Sequence, residues 1–128
     1  MSTIISKPWG REIILTEPNL PYTGKILEIN KGFRLSLQSH DQKVETLTLV
    51  KGQANIILNQ EESAMKTNHG YTIQPNTIHR LVAVSDAVIF EVSTPEIGNT
   101  VRIEDDFNRS DETLEIRNSP NRGWQPSS

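Results

Sequence analysis

Residues 34–52, "RLSLQSHDQKVETLTLVKG", begin and end as alternating strands, but the stretch between carries Gln38, His40 and Glu45. On an extended chain, side chains of one parity share a face, so Leu35 and Leu37 point one way while Arg34, Ser36, Gln38 and His40 point the other. In the second half Glu45 shares its parity with Leu47 and Leu49, which puts its carboxylate at the end of an apolar, inward face. An amide oxygen, an imidazole and a carboxylate gathered across one strand connection make three N/O ligands suited to a divalent first-row metal.

The same alternation extends outward from this stretch. The apolar runs "REIIL", "GKILEI", "ANIIL", "YTI", "HRLVAV" and "AVIFEV" are short, and "EPNLP", "NKG", "VKG", "NHG" and "QPN" separate them. Many short strands with turn formers between them predict a sandwich or barrel. No segment shows a long 3.6-residue stripe, and the helical alternative is strongest near "EIGNTVRIEDDF", which has room for a short turn of helix. At 128 residues the chain has room for one core, so residues 1–109 are read as one barrel domain. Residues 110–128, polar and poor in core residues, are read as a tail that is loosely ordered or packed on a partner, and Trp124 argues against plain disorder. The barrel is expected to fold without this tail.

Composition narrows the function classes. The absence of cysteine excludes disulfides and thiolate metal sites, leaving N and O ligands. The first residues, "MSTIISKPWGREIILT", have neither a basic head nor a continuous apolar run, so a cytoplasmic protein with no membrane span is expected. A net charge of −3 without a basic cluster argues against nucleic-acid binding, and an anionic ligand would need local positive charge. A fourth metal ligand is offered by His79 in "IQPNTIHRL", where a Pro-Asn turn precedes a strand that starts at the histidine. The alternative is that His40 and His79 are surface or hydrogen-bonded residues with no metal.

Four separated blocks carry a family resemblance. "GFRLSLQSHDQKVETLTLVKG" resembles the first cupin motif through Gly32, His40, Glu45 and Gly52, with Gln38 in place of the first His. Gln-x-His with a downstream Glu and His is the ligand set of phosphomannose isomerases. "KPWGRE", "LSLQ", "IHRL" and "VRIEDDFNR" resemble blocks of the type II phosphomannose isomerase cupin domain, from Lys7 to about Arg109. The larger bifunctional members carry a guanylyltransferase domain ahead of it, for which this chain has no room, so the chain resembles a stand-alone cupin. In the second cupin motif, Asn68, Gln74 and Asn76 stand where Gly, Pro and Gly are usual, and "GNT" and "FN" replace the more usual acidic pair and Tyr-Gly. These departures leave the ligands in place and put turn geometry and substrate fit in question.

The resemblance implies an all-β cupin, a double-stranded β-helix or small jelly-roll barrel. It implies one divalent metal held by Gln38, His40, Glu45 and His79, with zinc favoured over manganese, iron or nickel. It also raises Lys43, Arg102 and Arg109 as contacts for substrate phosphate, beside Arg34 and Arg80. Each has an ordinary reading: Lys43 a solvated loop residue, Arg80 an outward salt bridge, Arg34 half of a pair with an acid such as Glu91, and "VRIEDDFNR" a solvated loop. Trp9 in "KPWG" reads as a turn residue packed on the barrel. The implied function is interconversion of mannose 6-phosphate and fructose 6-phosphate, with Glu91, Lys43 or a metal-bound water as base. A non-catalytic sugar-binding cupin, an epimerase or a dioxygenase are the alternatives. Edge strands and an N-terminal segment of this kind suit pairing between subunits, so a homodimer is expected.

Overall fold

The structure, a computed structural model, describes residues 2–95 and 97–119; Trp124 lies outside them. Eleven strands and one short helix are found among these residues. In chain order the strands are β1 (Thr3–Lys7), β2 (Gly10–Ile14), β3 (Thr23–Ile29), β4 (Leu37–His40), β5 (Glu45–Lys51) and β6 (Ala54–Leu58). They continue with β7 (Glu61–Ala64), β8 (Gly70–Ile73), β9 (His79–Ala83), β10 (Ala87–Ser93) and β11 (Thr100–Glu104), and the helix α1 is Leu114–Arg117.

Two antiparallel sheets result, one ordered β1-β2-β3-β10-β5-β8 and the other β11-β4-β9-β6-β7. Alternation explains their packing: β3 reads buried at Lys25, Leu27 and Ile29, and β10 reads buried at Ala87, Ile89, Glu91 and Ser93. These inner faces meet in a core that includes Leu27, Ile29, Leu47, Leu49, Ile56, Ile73, Leu81 and Ile89. Such a sandwich interior is the expected result of period-2 patterning on facing sheets. Trp9, in the two-residue turn between β1 and β2, is buried in that core as expected, and its carbonyl accepts from Asn30 N–H.

The turns obey backbone sterics. Gly52 has φ +87°, and a Cβ there would lie 2.0 Å from the Asp86 carbonyl oxygen, so only glycine fits the β5–β6 turn. Asn68 and Asn76, which replace glycines of the second cupin motif, take φ of 62° and 66°. Asparagine is the non-glycine residue that tolerates this region best, so the motif's turns survive the substitutions.

Two expectations are corrected. The segment from Ile97 to Phe107 holds no helix: Thr100, Val101 and Ile103 are β-branched, and the chain pairs as β11 with β4. The stretch from Ser110, read as a loose or partner-packed tail, is tied to the chain's own barrel as far as Ser119. Glu112 exchanges both backbone hydrogen bonds with Thr100 at 2.8 and 2.9 Å, is itself buried, and accepts from Arg102 and Arg117. Thr113 then caps α1 by accepting from Ile116 N–H. No helix among the described residues is long and apolar enough to cross a membrane.

Candidate metal centre

Three strand ends deliver the donors. His40 closes β4, Glu45 opens β5 and His79 opens β9. Gln38 lies directly across from His79 in the β4–β9 pair, and the 74–77 turn is pinned to the same strand because Asn76 N–H donates to the His40 carbonyl at 2.7 Å. The one-residue spacing of Gln38 and His40 therefore puts both on the inner side, and the Pro-Asn turn brings His79 to them.

His40, Glu45 and His79 are buried, and their ligand atoms lie within 4.8 Å of one another. Glu45 Oε1 is 3.2 Å from His79 Nε2, and Glu45 Oε2 is 3.7 Å from His40 Nε2. The far side of each ring is anchored: His79 Nδ1 sits 2.9 Å from the Thr77 carbonyl and His40 Nδ1 2.9 Å from the Thr100 hydroxyl. A carbonyl only accepts, so Nδ1 of His79 carries a proton and Nε2 is the ring atom turned toward Glu45. Nε2 is buried with no hydrogen-bond partner. An imidazole nitrogen and a carboxylate oxygen at that range share a cation, a proton or a metal ion, and a buried set of two imidazoles and one carboxylate fits a metal ion. The Gln38 amide accepts from Ser36 at 2.6 Å and faces His40 with its nitrogen at 3.4 Å. Rotating the amide about its terminal torsion would present the oxygen as a fourth donor.

Burial pushes the Glu45 carboxyl up, but the Lys43 ammonium and the two imidazoles outweigh it and hold the group well below the usual carboxylate range. A ligand must be deprotonated, so the site presents its anion ready formed. Lys43 Nζ bridges Glu45 at 3.1 Å and Glu91 at 2.9 Å. Behind Glu91 the alternation continues: Lys25 stands 3.9 Å from Glu91 and 2.9 Å from Glu12, and Glu12 stands 3.9 Å from Lys7. All six of these residues are buried, so the site sits at one end of a ladder of three cations and three anions across β1, β2, β3, β10 and β5. Buried charges on this scale persist only when paired.

The ladder and the donors line a cavity of about 70 Å³. A water needs roughly 15 Å³ on such a measure, so several fit. Both sequence-predicted catalytic candidates, Lys43 and Glu91, line it, as do Arg80, Arg102 and Arg109. Each arginine already has partners: Arg80 donates to the Leu35 carbonyl at 2.8 Å, Arg102 pairs with Glu112 at 3.4 Å, and Arg109 with Asp105 at 2.9 Å. Burial, then the like charge of Arg109, lowers Arg102 from the ordinary guanidinium value. Arg80 is thus fixed to the backbone behind His79, with Glu104 at 3.8 Å and Asp106 at 3.9 Å as its acidic partners.

Arg34 is not brought to the site. It precedes β4, bridges to Val82, and makes a bidentate pair with Asp106 at 2.7 and 2.8 Å instead of meeting Glu91 or the cavity. The parity shared with Gln38 does not carry back to residue 34, because the strand begins only at Leu37. Sequence reasoning missed Lys7, Glu12, Lys25 and Glu112, all of which line the cavity. A signal existed for Lys25, which shares parity with Leu27 and Ile29 in "GKILEI".

Two facing antiparallel sheets with a His–His–Glu donor set at strand ends inside them define a small cupin. Residues 1–112 match the family model for the mannose-6-phosphate isomerase C-terminal domain, and the chain belongs to that family. Solved structures agree on the fold. KdgF from a Halomonas species is 16% identical, with a TM-score of 0.63 over 71% of this chain and 83% of that one. A cupin-2 domain from Rhodospirillum rubrum is 16% identical, with a TM-score of 0.65 over 74% and 70%. A Streptomyces PAC13 structure with uridine is 15% identical, with a TM-score of 0.70 over 81% and 85%. No curated protein matches the chain.

Proposed function

We propose that the chain is a metal-dependent aldose–ketose isomerase acting on a sugar phosphate, with mannose 6-phosphate and fructose 6-phosphate as the pair to test. The observation that carries this reading is the placement of Lys43 between the carboxylates of Glu45 and Glu91, in one cavity with His40 and His79. A divalent metal, zinc before manganese, iron or nickel, would be held by Gln38, His40, Glu45 and His79 and would supply Lewis acidity toward the sugar oxygens. The family match supports the substrate class.

The chain's own groups then handle protons. Isomerisation moves one proton from C2 to C1 and one from the C2 hydroxyl to the C1 oxygen, through an enediol, with no external oxidant or reductant. Glu91, paired with Lys43 at 2.9 Å, is the carboxylate available to take and return the carbon proton, and Lys43 holds a donor toward an oxygen. Arg102 and Arg109 line the same cavity and are the phosphate contacts of this reading.

A second reading has its own support. Arg102 and Arg109 already face Glu112 and Asp105, so a phosphate must compete with the chain's own carboxylates, whereas a neutral sugar need not. That favours a sugar-binding cupin without turnover. One assay separates the two: interconversion of mannose 6-phosphate and fructose 6-phosphate under nitrogen, with and without chelator. Activity that chelator removes and metal restores supports the isomerase; calorimetric binding of mannose with no turnover supports the second reading. Turnover unchanged by chelator contradicts the metal-dependent mechanism.

A further inference from the structure

We infer that Thr100 is a positioning residue of the metal centre: its hydroxyl holds the far side of the His40 ring, so that Nε2 is the nitrogen left for the ion. This rests on the reading of His40, Glu45 and His79 as metal ligands and names what the chain uses to set one of them. The strand β4 carries both Gln38 and His40, yet it meets β9 at the single pair Gln38–His79. Along β11 it is paired at four positions: His40 opposite Thr100, Ser39 opposite Val101, Gln38 opposite Arg102 and Leu37 opposite Glu104. The ligand-bearing end of β4 is therefore placed by β11, and the residue of β11 that faces His40 is Thr100.

Thr100 spends both backbone groups on its other neighbour: its N–H donates to the Glu112 carbonyl at 2.9 Å, and its carbonyl accepts from Glu112 N–H at 2.8 Å. Opposite His40 it is thus in the non-hydrogen-bonded kind of antiparallel pair, where side chains stand closest, and the flanking bond from Asp41 N–H to the Asn99 carbonyl at 3.3 Å fits that pattern. The result is a contact of 2.9 Å between Thr100 Oγ1 and His40 Nδ1, with both residues buried. Glu112 is held in turn by Arg117, which also donates to the Gly98 carbonyl at 3.0 Å, so β11 is backed on the side away from β4. An ion at Nε2 takes that nitrogen's lone pair and leaves the ring proton on Nδ1, and a buried N–H needs an acceptor. The Thr77 carbonyl serves His79 in this way, and the Thr100 hydroxyl serves His40. Thr100→Val keeps the β-branched shape and the backbone pairing but deletes the acceptor, so metal binding would then leave that N–H buried without it.

Zinc affinity of the full chain, stripped by chelator and measured by competition with a chromogenic chelator, tests this. Removing such a partner behind a histidine ligand costs about 10–100-fold in metal affinity, so Thr100→Val is expected to raise the zinc dissociation constant at least about tenfold while the metal-free protein melts as the wild type does. Thr100→Ser keeps the hydroxyl and is expected to bind zinc like the wild type; Thr100→Ala, set against Thr100→Ser, should show the same loss as Thr100→Val and isolates the hydroxyl should the valine variant not fold. Thr46→Val deletes a comparable hydroxyl contact, 2.8 Å to Thr72 between β5 and β8, and is expected to leave zinc binding unchanged. Wild-type affinity in both Thr100→Val and Thr100→Ala overturns the inference and leaves the metal centre standing, and so does a loss that Thr100→Ser shares in full. A wild type that binds no zinc overturns the inference together with the metal reading beneath it.

Discussion

Lys25 is the most deeply buried member of the charge ladder, 2% exposed, and replacing it by Met tests whether the ladder is held by pairing. Methionine keeps most of the stem's volume and removes the ammonium, so packing loss is small. The consequence falls on the two anions. Glu91 keeps Lys43 at 2.9 Å, but Glu12 loses its 2.9 Å partner and retains Lys7 at 3.9 Å. Removing one partner of a buried ion pair costs about 3–5 kcal/mol, and with Glu91 and Glu12 each keeping another cation the lower end, about 3 kcal/mol, is expected. With a urea m-value of roughly 1.5–2 kcal/mol/M, the midpoint should fall by roughly 1.5–2 M. The measurement belongs on chelated protein, so that metal binding does not shift the equilibrium. Adding Glu12→Gln to Lys25→Met removes the anion that lost its nearest partner and should recover at least about 1 kcal/mol. A single-variant loss under about 1 kcal/mol, or a double variant no more stable than the single one, would refute the pairing argument.

Two further outcomes follow from the same geometry. Truncation after Arg109 strands buried Arg102 without Glu112 and removes two backbone hydrogen bonds to Thr100, so it should cost about 2–4 kcal/mol in urea unfolding, whereas truncation after Ser119 should cost little; equal stability of the two fragments would contradict this. Burial pushes the Asp105 carboxyl up, but hydrogen bonds from Arg109 outweigh it and hold the group below its ordinary value. Its contribution is therefore complete above about pH 4 and lost as pH falls through the depressed folded value, so the deficit of Asp105→Asn in thermal melts should be constant near neutrality and shrink toward pH 2; a deficit that persists there contradicts the pairing.

The strands and the donor set were legible because both depend on parity. Glu45 announces itself by sharing the face of Leu47 and Leu49, and His79 by following a Pro-Asn turn into a strand. The ladder was harder to see because each member sits on a different strand: Lys25, Glu91 and Glu12 meet only through the β2–β3–β10 order, which alternation alone does not specify. Arg34 misled because parity holds only within one strand, and the chain between Arg34 and Leu37 is not one. Glu112 was hidden by its neighbours: a polar stretch reads as solvated unless the buried Arg102 waiting for it is known.

His40, Glu45 and His79, with Gln38, are expected to hold one metal ion, because three buried donors converge within 4.8 Å and the anchored His79 ring turns Nε2 toward a carboxylate 3.2 Å away. Elemental analysis after resupply of zinc, manganese, iron or nickel to chelated protein, followed by desalting, measures it directly. One divalent ion per chain in the wild type, falling to background in the double variant His40→Ala, His79→Ala with its β-rich circular dichroism retained, is the predicted result. Background stoichiometry in the wild type with all four metals would contradict the account.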